Sequence, residues 1–205
     1  LTSRNRLGEV SGMIPRSIVH LLSGGLDSVT LLHDLVNGGE LVHCLIVNYR
    51  QRHAQEILWA KTHARKLGLN FTVAEMPVLG GMSDSDPVVP FRNALFLGLA
   101  VNLAVRLKAS TVTIGCNATD AANFPDCRVG FLEKFGTAVE AAGYDVEICA
   151  PFLDWPKSRI AALAQHYGIK TSDVWTCYRG GAAPCGECLA CRSLKDAFDA
   201  CQSVG

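Results

Sequence analysis

Neither sign of charge is in excess along this 205-residue chain, where nineteen Lys and Arg balance nineteen Asp and Glu. That argues against a broad nucleic-acid footprint, which draws on a surplus of cations. Long apolar runs are also missing. The most apolar stretch, 94–105, is interrupted by Asn102 and bracketed by Arg92 and Arg106, which predicts a buried helix and no membrane span. No internal repeat or low-complexity tract is present, and the length suits one domain with a three-layer core. No secretion leader precedes the first apolar run, so the nine cysteines are expected in a reducing cytoplasm, as metal ligands and not disulfides. Residues 1–16 read as a flexible N-terminal extension, and 1–12, which precede Met13, are expected to take no part in the fold.

What the chain does carry is Leu21-Leu22-Ser23-Gly24-Gly25-Leu26-Asp27-Ser28, where an apolar strand turns into a helix. Paired glycines let backbone N–H groups approach an anion without Cβ interference, and the helix end that follows adds favourable partial charge. Ser23 and Ser28 bring hydroxyls, and Asp27 is placed to orient the loop or a metal. No Lys follows the glycines, which excludes the phosphate loop of kinases and GTPases. The plain structural alternative is a strand–turn–helix corner with Ser and Asp as caps.

Short β-branched runs alternate with helical patterns. Strands are predicted over 17–22, 41–47, 71–75, 111–115 and 146–149, and helices over 27–36, 54–67, 93–108, 129–142 and 157–167. Asn37-Gly38-Gly39, Gly68, Gly143 and Gly168 close helical stretches, and Pro156 suits a first helical turn. The alternation predicts an α/β fold, a parallel sheet covered on both faces, with ligands at the carboxyl ends of its strands. Segments 48–53 and 116–128 would join the glycine corner on that rim. Segment 80–90, rich in Gly, Ser, Asp and Pro, is long enough for a lid.

Cys177, Cys185, Cys188 and Cys191 are spaced C-x7-C-x2-C-x2-C. Four thiolates close a tetrahedral shell with no open position, so the spacing points to structural zinc in a small C-terminal segment, 171–205, with little core of its own. An iron–sulfur cluster or a redox dithiol uses the same residue type. Cys44, Cys116, Cys149 and Cys201 read as small apolar or helix-face positions.

Ser23-Gly24-Gly25-Leu26-Asp27-Ser28 resembles the pyrophosphate loop of ATP pyrophosphatases, enzymes that split ATP into AMP and pyrophosphate to activate an oxygen. Together with Gln51-Arg52-His53, Arg92-Asn93, Thr119-Asp120, Phe124-Pro125-Asp126-Cys127-Arg128, Thr176-Cys177-Tyr178 and Cys185-Gly186-Glu187-Cys188, it makes the chain similar to the 7-cyano-7-deazaguanine synthase family from about Ser17 to Phe198. The resemblance implies a Rossmann-like, adenine-nucleotide alpha-hydrolase type of sheet over 17–170. It also implies a homodimer, and a ligase joining 7-carboxy-7-deazaguanine and ammonia with two ATP and Mg2+ to give a nitrile. It implies ATP contacts at Leu22, Ser23, Gly24, Gly25, Leu26, Asp27, Ser28 and Arg92, with Ser23, Asp27 and Arg128 catalytic. Asp120, Phe124, Asp126 and Arg128 would meet the substrate, and the four clustered cysteines would hold Zn2+. Taken singly, each has a plainer role: surface salt bridges for Arg92 and Arg128, loop caps for Asp120 and Asp126, core packing for Phe124. Cys127 would line the pocket, and His53 reads as a hydrogen-bonded structural histidine.

Four departures from the family pattern gather around the substrate. Asn48 and Arg50 stand in the loop after the second strand, Arg50 for a smaller residue. Phe91 replaces the Gly before Arg-Asn, the stretch 76–91 is short, and Asn117-Ala118 replaces Cys-Glu. The alternatives are therefore a relative that stops at the amide or attaches the deazapurine to a protein, a tRNA thiolase with the same loop, or a zinc-stabilised binding module with a degenerate nucleotide site.

Overall fold

The computed structural model describes residues 15–82 and 89–202. Five parallel strands, β1 (Ser17–Leu21), β2 (Leu41–Asn48), β3 (Phe71–Glu75), β4 (Thr111–Thr113) and β5 (Glu147–Cys149), form one sheet in the order β3-β2-β1-β4-β5. Between them run α1 (Leu26–Asn37), α2 (Glu56–Lys66), α3 (Arg92–Leu107), the short α4 (Ala118–Asn123), α5 (Val129–Ala141) and α6 (Lys157–His166), and α7 (Leu189–Gln202) closes the chain. Alternation along the central strands sorts the two cores. Ile18, Val42, Cys44 and Ile46 pack with α1, α2 and α6, whereas Val19, Leu21, Leu45 and Val47 pack with α3 and α5. Each such side chain contributes about 1.5–3 kcal/mol on burial. Among the described residues no helix is long and apolar enough to cross a membrane.

Two boundaries differ from those read in the sequence. Arg16 belongs to the body of the domain: its guanidinium Nε and its backbone N–H donate to the Glu40 carboxylate at 2.9 and 2.7 Å, and its carbonyl accepts from Leu41 N. The C-terminal segment does have core of its own to offer, because α7 inserts Leu194, Ala197 and Phe198 into the core shared by α1 and α6. Residues 1–14, and most of the lid expected at 80–90, lie outside the described residues.

The strand order reverses between β1 and β4, so the loops after these strands face one another across a crevice. Buried His20 ties the crevice floor together. Its Nε2 donates to the Ser28 carbonyl at 2.9 Å, which leaves Nδ1 to accept from the Thr113 hydroxyl at 2.8 Å. Burial lowers the His20 pKa from 6.5 to about 4. The unfolded chain takes up this proton below pH 6.5 and the native state does not, so the stability is complete above 6.5 and is lost as pH falls towards 4. The slope is about 1.4 kcal/mol per pH unit. Urea unfolding of His20→Gln should therefore show a stability deficit at pH 7 that narrows by about 2 kcal/mol at pH 5. An unchanged deficit would mean that His20 is protonated in the native state.

Candidate active site

The glycine corner is built by close approach. Gly24 has φ +91°, and a Cβ there would collide with the Glu56 carbonyl oxygen at the start of α2. On the facing side, a Cβ on Gly115 would stand 2.9 Å from Ser28 N, so the loop after β4 lies directly on the first turn of α1. Ser28 Oγ donates to the Gly25 carbonyl at 3.2 Å and sits 2.9 Å from Ser23 Oγ. Ser28 is thus a buried brace: its proton goes to Gly25, so the Ser23 hydroxyl donates to Ser28 Oγ and would turn toward an anion by giving up that bond. The first-turn N–H groups of α1 have no acceptor within the helix, which is what an anion site requires.

Asp27 is the electrostatic centre. One carboxylate oxygen, Oδ2, accepts from Asn117 Nδ2 at 3.2 Å and lies 3.6 Å from Lys157 Nζ, while Oδ1 is buried with no hydrogen-bond partner among the described residues. Burial raises the Asp27 pKa, against the opposing pull of Lys157 and Asn117. Burial alone would lower that of Lys157, but Asp27 and Asp120 outweigh it and hold the ammonium charged. Asp120 is pushed up to about 6 by burial and by Asp27, and its Oδ2 accepts from Asn117 N in the capping box that opens α4. An unpartnered buried carboxylate oxygen beside a second carboxylate suits a hard, oxygen-seeking cation such as magnesium.

A second wall rises from the loop after β2 and the start of α3. Arg92 Nη1 donates to the Tyr49 hydroxyl at 3.0 Å, and its guanidinium lies over the Tyr49 and Phe96 rings. Glu56 accepts from Gln51 Nε2 at 2.8 Å and stands 3.6 Å from His53 Nε2. Burial pushes the Glu56 carboxyl up to about 7. Tyr178, one residue past Cys177, meets His53 with ring centroids 6.1 Å apart, and Lys157, Asp120 and Arg92 all act on its hydroxyl.

The cysteine segment is fastened to the glycine corner. Trp175 N donates to the Gly24 carbonyl at 2.9 Å, Trp59 Nε1 donates to the Ser172 carbonyl, and the Trp59 and Trp175 rings pack together. The four sulfurs of Cys177, Cys185, Cys188 and Cys191 lie within 4.8 Å of one another, with Cys185 and Cys191 Sγ 3.9 Å apart. Cys188 N donates to Cys185 Sγ at 3.3 Å, which favours a thiolate there.

The structure thus brings together Ser23, Gly24, Gly25, Asp27, Ser28 and Asp120, with Arg92 on the second wall. The other predicted residues stand differently. Asp126 Oδ2 accepts from Asn93 N and so caps α3, Phe124 packs against the β4-side core, and Arg128 Nε donates to the Ala121 carbonyl. Cys127 is buried and accepts from Asn93 Nδ2. Lys157 and Glu56 are not singled out by the sequence, and Asn117 and Tyr178 appear there only within motifs, without a site role. Lys157 had one signal, its place just after Pro156 at a helix start on the ligand-binding rim. Lys157→Met should lower the rate of pyrophosphate release about 100- to 1000-fold, the scale of a lost charge-stabilising donor. A loss below threefold would reduce Lys157 to packing.

The profile of the queuosine biosynthesis protein QueC family matches residues 17–88 and 82–202. The two stretches meet at 82–88, inside the segment that is short for the family. The 7-cyano-7-deazaguanine synthase of Hahella chejuensis is 35% identical, covering 92% of this chain and 91% of that protein. The Rhizobium johnstonii enzyme of the same name is 33% identical over 86% and 84%. In fold, the chain is similar to the NMN synthetase of Francisella tularensis (TM-score 0.56, 15% identity, 90% of this chain and 84% of that one). It is also similar to the U34-tRNA thiolase NcsA of Methanococcus maripaludis (TM-score 0.55, 17% identity), covering 92% of this chain and 65% of that longer one. With near-complete coverage by both the profile and the relatives, the chain belongs to the 7-cyano-7-deazaguanine synthase family.

Proposed function

We propose that this chain converts 7-carboxy-7-deazaguanine and ammonia to 7-cyano-7-deazaguanine at the expense of two ATP. The observation that carries the reading is the Asp27–Lys157–Asn117 cluster set against the glycine corner at the sheet's switch point. A carboxylate oxygen is a poor leaving group, so it attacks the α-phosphorus of ATP and pyrophosphate departs. Ser23 and the first-turn N–H groups of α1 receive the pyrophosphate, and Lys157 meets the charge that builds on the α-phosphoryl oxygens. Ammonia adds to the acyl carbon, the C–O bond to AMP breaks, and an amide remains. Adenylation of the amide oxygen then lets AMP leave as nitrogen gives up its protons.

Arg92, held beside the paired Tyr49 and Phe96 rings, is the cation available for the phosphates or the substrate carboxylate. Of the predicted substrate residues Asp120 carries the most, since its Oδ2 accepts from the backbone of Asn117, the residue whose side chain holds Asp27, whereas Asp126, Phe124 and Arg128 bond or pack away from that cluster. Magnesium held by Asp27, with Asp120 beside it, would screen the phosphate charge. For the cysteines zinc is the favoured metal: bonds of about 2.3 Å place tetrahedral sulfurs about 3.8 Å apart, close to the observed spacing, and a multi-iron cluster would spread them wider. We place the enzyme in the cytoplasm as a homodimer acting on small molecules, the dimer resting on family resemblance. Incubation with the carboxylate, ATP and ammonia, followed by mass spectrometry, should yield the nitrile. Amide alone, or a protein adduct, would overturn the reading.

A further inference from the structure

We propose that Tyr178 is the ring platform for the flat deazapurine, delivered into the active site by the cysteine knot. The inference rests on the function proposed above and assigns a positioning residue to it. Three observations support it. Tyr178 keeps 39% of its surface exposed, although its neighbours Trp175 and Cys177 are almost wholly buried. Its ring lies 6.1 Å from that of His53, whose Nε2 stands 3.6 Å from the Glu56 carboxylate, and the Glu56 carbonyl lies against Gly24, so the ring borders the glycine corner. The two rings are tilted by 59° and so do not stack, which leaves the face of Tyr178 available. Phe124, the stacking residue suggested by the sequence, is partly buried and packs against the β4-side core.

The position of Tyr178 is not set by a regular element of its own. It follows directly on Cys177, and the chain before it is pinned by the bond from Trp175 N to the Gly24 carbonyl. The metal knot is therefore a part of the substrate site as well as a fold staple. A heteroaromatic ring stacked on an aromatic side chain gains about 1–3 kcal/mol, which is about 5- to 150-fold in affinity.

The test compares Tyr178→Phe and Tyr178→Leu with the wild-type protein, reading metal content, KM for the carboxylate and KM for ATP. Tyr178→Phe should stay within about threefold of wild type. Tyr178→Leu should raise the carboxylate KM at least tenfold, with one metal per chain retained and the ATP KM unchanged. An unchanged carboxylate KM, a rise confined to ATP, or loss of the metal in Tyr178→Leu would each overturn the proposal. If the wild-type protein itself makes no nitrile, it is the proposed function that fails. In that case direct calorimetric titration of the carboxylate into wild type and Tyr178→Leu still decides the role of the ring: weaker binding to the variant supports it, and equal binding overturns it.

Discussion

Gly24→Ala should abolish pyrophosphate release, by at least a thousandfold, while the protein remains folded. The added methyl would collide with the Glu56 carbonyl oxygen and reach to 3.0 Å from Ala60 N, and the backbone at φ +91° disfavours any side chain. Neither neighbour is a side-chain tip that can swing aside, because both belong to the α2 backbone. The corner must move away from α2, and the Trp175 bond to the Gly24 carbonyl moves with it. A displacement of about 1 Å at reacting groups costs on the order of a hundredfold in rate, and here the phosphate donors and the cysteine segment shift together. A wild-type circular dichroism spectrum and a cooperative thermal transition would verify that folding survives. A variant that turns over ATP normally would show that the corner does not hold phosphate.

Cys177→Ser should have the second large effect: loss of bound metal, a melting temperature lower by more than 10 °C and no nitrile formation. Structural zinc contributes about 10–16 kcal/mol of apparent binding free energy in small domains, and three ligands retain only part of it. Cys177 is fully buried beside Trp175, so the loss is felt where the segment meets α2 and the glycine corner. The paired Trp59 and Trp175 rings give the measurement, because their fluorescence should shift to that of solvated indole as the segment loosens. Metal analysis of the wild type should return one zinc per chain, and a stable, active Cys177→Ser would contradict this part of the account.

Much of this molecule was legible in its residues. The five strands and five of the helices followed from apolar periodicity, and the glycine corner and cysteine spacing are local patterns that need no tertiary context. Two helices were not anticipated. The α4 sequence Ala118–Asn123 is too short and polar to show a period, and only the Asn117 and Asp120 capping pair marks it. For α7 the signal is present, in Ala190, Leu194, Ala197, Phe198 and Cys201 at helical spacing, but it overlaps the cysteine motif, whose spacing points to a segment with little core of its own.

The site was only half legible, since its partners are remote in sequence. Lys157 meets Asp27 across 130 positions, and no spacing rule connects them. Three departures from the family did acquire a physical meaning. Arg50 and Phe91 both have left-handed backbones, with φ 58° and 60°, a conformation that glycine adopts without strain. The third, Asn117, is fully buried and uses its side chain both to cap α4 and to hold Asp27.

Activation of the substrate oxygen by transfer to the α-phosphate of ATP is most directly tested by isotope tracing. With both carboxylate oxygens of the substrate labelled with 18O, each nitrile formed should be accompanied by two AMP molecules carrying one label apiece, and pyrophosphate should be unlabelled. Label recovered in inorganic phosphate or in water, with none in AMP, would contradict it.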